Sequence, residues 1–152
     1  PSDLSDLRRD RIGFVFQSYN LVPVLSAVEN TEMVLLLRGV DPKQRRETAM
    51  KTLSAVGLSG MENRRPNELS GGQQQRVAVG RAIAGQPALV LADEPTANLD
   101  SQTGNELIDL MAQLNAQKGI TFVFATHDPK VMAAAKRVVR MEDGQIIEDI
   151  RK

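Results

Sequence analysis

The sequence predicts an α/β fold built on a parallel sheet, and three observations carry that prediction. The apolar runs 88–92 and 120–125 lack the polar alternation of a half-covered strand. They read instead as strands buried on both faces, the habit of parallel sheets. Between and around them lie segments with helical spacing and recognisable caps. Polar residues stand just past the ends of three strands: Gln17, Asp93 with Glu94, and His127. That is the edge at which open α/β sheets bind ligands.

Taken in order, "RIGFVFQ" (11–17) reads as a buried strand ending in a polar residue. After Pro23, Ser26 can cap a helix that ends near Gly39. Asp41 caps the next helix, with Pro42 in its first turn. Its apolar positions Ala49, Leu53 and Val56 share a face, and Gly57 stops it. Beyond a proline-containing loop, Ser70 opens a longer helix with a glycine-rich mouth, ended by Gly85 and Pro87. "ALVLADEP" is the second strand. Asp100 caps a helix whose apolar stripe is Leu107, Leu110, Met111 and Leu114. "ITFVFATHDP" is the third strand, "KVMAAAK" a short helix, and "RVVRMEDGQIIEDI" a hairpin turning at Asp143-Gly144. The reading is one domain over 1–152, with a helical subdomain over about 21–80 inserted between the strand ending at Gln17 and the strand 88–93.

Composition narrows the function classes. The 152 residues suffice for one core. Lys plus Arg number 19 and Asp plus Glu 19, so nothing in the net charge draws the chain to nucleic acid or an anionic membrane. Cysteine is absent, which removes disulfides and thiol chemistry and fits a cytoplasmic setting. With one histidine besides, zinc has too few of its usual ligands. The longest apolar runs are far too short to cross a bilayer.

Three features suggest chemistry. Asp93 and Glu94 offer a hard oxygen ligand for Mg2+ and a neighbouring base that can polarise a water. By itself such a pair is as readily a turn cap beside a solvated acid. Ser70, Gly71 and Gly72 at a helix mouth suit an anion, through free N–H groups and the helix dipole. Alone they are equally an ordinary N-cap. His127 could donate to a terminal phosphate, or simply satisfy its turn.

The order and spacing of these pieces say more. Gln17 after a strand, then "LSGGQQQR" (69–76), "LVLADEP", "NLD" (98–100) and "THD" (126–128) together resemble the nucleotide-binding subunit of ATP-binding cassette (ABC) transporters, over essentially the whole chain. "RIGFVFQSYNLVPVLSAVEN" and "LADEPTANLDS" resemble the bacterial branch serving lipoprotein release and macrolide-type export. Ala97 and Gly80 stand where that pattern has Gly and Ala.

The resemblance implies an incomplete P-loop NTPase sheet with a helical subdomain, ATP and Mg2+ as cofactors, and roles for particular residues. Asp93 would hold magnesium, with Gln17 contacting the metal and the attacking water. Glu94 would be the catalytic base and His127 would touch the γ-phosphate. The signature of that family, "LSGGQ" (69–73), would bind through Ser70, Gly71, Gly72 and Gln73 the ATP held by a second ABC ATPase subunit, and Asp100 would act across that dimer. The helical segment 21–67 would dock on transmembrane permease subunits, placing the chain in the cytoplasm, peripheral to the inner membrane.

One part of the family pattern is not found. The phosphate loop G-x-x-x-x-G-K-[ST] occurs nowhere in the 152 residues, and the only tyrosine, Tyr19, lies beyond Gln17. The chain is therefore expected to be an N-terminally truncated member that, alone, binds Mg-ATP weakly and hydrolyses it slowly or not at all. The strand "ITFVFA" is expected to have an open edge that invites pairing with other chains. The alternatives are a non-catalytic or regulatory half-site partner of an intact ABC ATPase, a folded remnant, and the cassette proteins that work without membrane domains.

Overall fold

A computed structural model describes residues 2–152; Pro1, where the reading above places the truncation, lies outside them. The elements run α1 (Ser2–Arg11), β1 (Ile12–Val15), α2 (Ala27–Leu37), α3 (Pro42–Ala55), a 3-10 turn at Pro66–Glu68, α4 (Gly71–Ile83), β2 (Leu89–Asp93), α5 (Ser101–Lys118), β3 (Thr121–Ala125), α6 (Pro129–Ala134), β4 (Arg137–Glu142) and β5 (Gln145–Arg151). The caps do much of the local work. Ser26 and Glu29 close a reciprocal capping box on α2. Asp41 accepts from the Lys43 and Gln44 N–H groups at the start of α3. Asp100 accepts from the Thr103 N–H at the start of α5, and Gly119 ends that helix with φ of 68°. The stretch 21–80 holds α2, α3 and most of α4.

The three-stranded sheet has the order β1-β2-β3, all parallel, with Val15 paired to Ala92 and Asp93 to Ala125. β3 is an outer strand of this sheet. α4 lies directly on β1. A Cβ on Gly13 would fall 2.5 Å from the Ala82 carbonyl oxygen, so the absent side chain is what lets helix and strand meet. The core gathers Val15 and Val90 from the sheet, Leu53 and Val56 from α3, Val77 and Val79 from α4, and Leu107, Met111 and Leu114 from α5. Each fully buried Leu contributes about 1.5–3 kcal/mol by leaving water.

Two strand expectations need correction. β1 is shorter than 11–17, so Gln17 lies two residues past it, in a turn. The strands are also not covered on both faces. Gly13, Val15, Val90 and Ala92 are buried, while Phe14 and Val123 on the opposite face are 42% and 48% exposed. The helices pack on one face, and among the described residues nothing covers the other. β4 and β5 form a separate antiparallel hairpin, with Asp143 and Gly144 both at positive φ as a type I′ turn requires.

Candidate functional site

Because β1, β2 and β3 are parallel, their C-terminal ends share one edge. Asp93, the last residue of β2, is exposed there. Glu94 then leaves the strand with φ of 44°. A left-handed backbone at a non-glycine residue costs on the order of 1–3 kcal/mol and persists only where its surroundings hold it. They do. The Glu94 N–H donates to Ala125 O at 2.9 Å, and the Ala97 N–H donates to Glu94 O at 3.2 Å.

The Glu94 carboxylate is held as well. The Thr126 hydroxyl donates to Oε2 at 3.2 Å, and His127 Nδ1 lies 2.7 Å from Oε1. A carboxylate only accepts, so that bond places a proton on Nδ1 and leaves Nε2 to the solvent, where the His127 side chain is 94% exposed. Thr126 is fixed in turn by the Asp128 N–H, and Asp128 by the Thr96 hydroxyl and the Lys130 N–H. Asp93, Glu94 and His127 thus meet at the end of β2 and β3, as expected from their positions after the strands.

Gln17 reaches the same edge from β1 by a fixed backbone. Asn98 Nδ2 donates to the Gln17 carbonyl at 2.9 Å. The next turn is left-handed at Tyr19 and Asn20, with φ of 65° and 54°. The Arg81 guanidinium donates to both of their carbonyls, at 2.9 and 2.6 Å. Burial of Arg81 lowers its pKa.

The glycine-mouthed helix is α4. Ser70 and Gln73 satisfy each other: Ser70 Oγ accepts from the Gln73 N–H at 3.2 Å and Gln73 Oε1 accepts from the Ser70 N–H at 2.9 Å. The Gly71 and Gly72 N–H groups, in the first turn, have no intrahelical acceptor. Both glycines also have packing reasons. A Cβ on Gly71 would lie 2.9 Å from the Tyr19 hydroxyl, and one on Gly72 would collide with Thr103. The signature mouth therefore adjoins the start of α5, where Asp100 sits.

Hydrogen bonding from Thr103, side chain first and then N–H, holds the Asp100 carboxyl below its ordinary pKa of 3.8. A lowered folded value means stabilisation present above 3.8 and lost as pH falls through the folded pKa. Asn caps helices as well as Asp does. We therefore expect Asp100→Asn to flatten the part of the Tm-against-pH profile below 3.8, with no matching change near neutrality. An identical acid limb in both proteins would contradict this.

The contacts of several residues at the site were not anticipated. Gln75 on α4 donates to Phe16 O and Pro95 O. Thr126, Asn98 and Arg81 hold backbone or carboxylate as described. Gln75 alone left a legible signal: it shares a helix face with the buried, apolar Val79 and Ala82, four and seven residues on.

No group of three or more His, Asp or Glu side chains able to hold a metal is present among the described residues. The donors at the edge are hard oxygens, from Asp93 and Gln17. That fits Mg2+, which takes one or two protein oxygens and completes its shell with waters and phosphates.

The parallel sheet with this edge, and the signature helix beside it, define an α/β cassette of the P-loop NTPase type. The chain belongs to the ABC transporter family: the family model so described matches residues 2–97. It is 48% identical over 143 residues to an uncharacterised ABC transporter ATP-binding protein of Thermotoga maritima, covering 94% of this chain and 61% of that one. It is 47% identical over 155 residues to a macrolide export ATP-binding/permease protein, MacB, of Rhodopirellula baltica, covering all of this chain and 22% of that one. Among solved structures it resembles the dimeric, post-hydrolysis ATP-binding cassette MJ0796 bound to ADP and Pi. That match has a TM-score of 0.84 at 42% identity and covers 99% of this chain and 66% of the other. The chain thus spans about a fifth of the export relative and under two thirds of the cassettes. No helix among the described residues is long and apolar enough to cross a membrane.

Proposed function

We propose that this chain carries the hydrolytic edge and the signature of an ATP-hydrolysing cassette subunit that energises export. The observation that supports it is Glu94, held in a left-handed backbone at the sheet edge with its carboxylate fixed by Thr126 and His127, next to exposed Asp93. In the reaction, Glu94 orients the attacking water and accepts its proton, with lone pairs to spare beyond its two present bonds. Asp93 and Gln17 would hold Mg2+, which when bound would neutralise charge on the phosphates. His127 points its free Nε2 toward solvent and so can meet a terminal phosphate. Gly71 and Gly72, framed by the Ser70–Gln73 capping pair, offer the N–H groups that lack an intrahelical acceptor to ATP held by a second cassette subunit, with Asp100 beside them. This reading makes the chain one half of a dimer attached to permease subunits at the cytoplasmic face of the inner membrane, with substrate choice left to those subunits. The resemblances to a dimeric cassette and to export ATP-binding/permease proteins support that assembly.

The experiment is to join the chain to the phosphate-loop segment of a cassette relative and follow phosphate release. Turnover is expected. A folded, ATP-binding chimera without turnover would remove the hydrolytic reading and leave a half-site partner.

A further inference from the structure

We propose that Gln75 is a positioning residue for Glu94: from α4 it fastens the turn after the carboxylate to the turn that carries Gln17. The role rests on Glu94 being the hydrolytic residue, but the geometry stands by itself. Gln75 is fully buried, and its side-chain amide donates to Pro95 O at 2.7 Å and to Phe16 O at 3.2 Å. Both acceptors are carbonyls, so only the amide nitrogen can face them and the amide orientation is forced. Its oxygen, Oε1, is buried and has no partner among the described residues. A buried acceptor left unpaired destabilises a fold. Leu or Met would fill the space without that burden, so the two N–H bonds are what the amide supplies.

Those bonds fall where the sheet stops. Val15 and Ala92 are the last residues that β1 and β2 pair with each other. Phe16 and Pro95 lie just beyond the paired register, and Phe16 O also accepts from the Tyr19 N–H of its own turn at 3.3 Å. The Gln75 amide acts as one further rung between the two strands. Pro95 immediately follows Glu94, and Phe16 immediately precedes Gln17. Fixing Pro95 O constrains the residue after the left-handed Glu94, whose backbone needs outside support. Arg81, six residues further along α4, grips the other side of Gln17 through Tyr19 O and Asn20 O. The helix that opens with the signature residues Ser70 to Gln73 therefore sets both turns of the chain's own hydrolytic edge. A shift of α4 at its N-terminus would reach Glu94 and Gln17 together.

The test is Gln75→Leu in this chain, with Gln75→Met as second variant should Leu not fold. Amide hydrogen exchange is read alongside the ring 15N signals of His127, the only histidine. Exchange at 94–99 and 17–20 should quicken together by roughly tenfold, with α5 residues 107–114 changing less than about twofold. The His127 signals should move toward those of a Glu94→Ala protein. Unchanged exchange at either turn would overturn the proposal, as would equal quickening of both turns and α5, which marks mere loss of packing. The exchange result without any turnover by the phosphate-loop chimera would uphold the positioning role and overturn the hydrolytic reading instead.

Discussion

In the chain joined to a phosphate-loop segment, Glu94→Gln is expected to lower kcat by roughly 10²–10⁴, the span of a positioned general base, while ATP affinity is retained. Gln keeps the size and the hydrogen-bonding reach of Glu, and can accept from Thr126 through its oxygen. It cannot take a proton from water. The backbone at position 94 stays held by Ala125 and Ala97, and exposed His127 can carry its proton on Nε2 so that Nδ1 accepts from the new amide nitrogen; the substitution therefore leaves the fold intact. Its effect should appear in kcat rather than in stability. Matched phosphate-release and nucleotide-binding assays on the two proteins check this. A variant within a few-fold of the parent would show that another group activates the water.

The largest effect on folding is expected at Gly13. Gly13→Ala puts a methyl group 2.5 Å from the Ala82 carbonyl oxygen and 3.2 Å from the Ala82 Cβ. The obstacle is backbone, which cannot swing aside as a side chain would. α4 must slide off β1, opening the core at Val15, Val77 and Val79. Overpacking of this kind costs about 1–3 kcal/mol and sometimes more, a large part of the 5–15 kcal/mol typical of a domain. Gly80, on the same helix, is the control. A Cβ there meets Thr52, Val56 and Thr31 at 3.6–3.8 Å, ordinary contact distances. Gly80→Ala should therefore stabilise by about 0.5–1 kcal/mol, the helix-interior advantage of Ala over Gly. Denaturant midpoints for both variants check the pair. Two changes of the same sign would mean that α4 does not rest on β1 as described.

Much of this architecture was legible from local chemistry. Ser26, Asp41, Ser70 and Asp100 all cap the helices expected of them, because capping depends on a few neighbouring residues. The Asp143-Gly144 turn follows from the φ > 0 that a two-residue hairpin demands. The polar edge was legible because parallel strands bring their ends together whatever the details of packing. What escaped depends on residues distant in sequence. The apolar runs in β1, β2 and β3 signal burial on two faces, yet only the face under the helices is covered here. α1 carries no buried stripe to reveal it; Leu4 and Leu7 are 66% and 51% exposed. The left-handed turn at Glu94 has no glycine to announce it. The helix pattern shows that Gln75 faces the core, but its partners lie 20 and 59 residues away and leave no local trace.

The proposed function divides the labour: these residues form the hydrolytic edge and the signature, while the phosphates of ATP are cradled by a loop whose sequence does not occur among the 152 residues. The most direct measurement is a calorimetric titration of the chain with Mg-ATP, after exchange protection across α5 has shown it folded. No saturable heat is expected. Saturable micromolar binding would contradict that division, and would mean that groups within this chain hold the phosphates unaided.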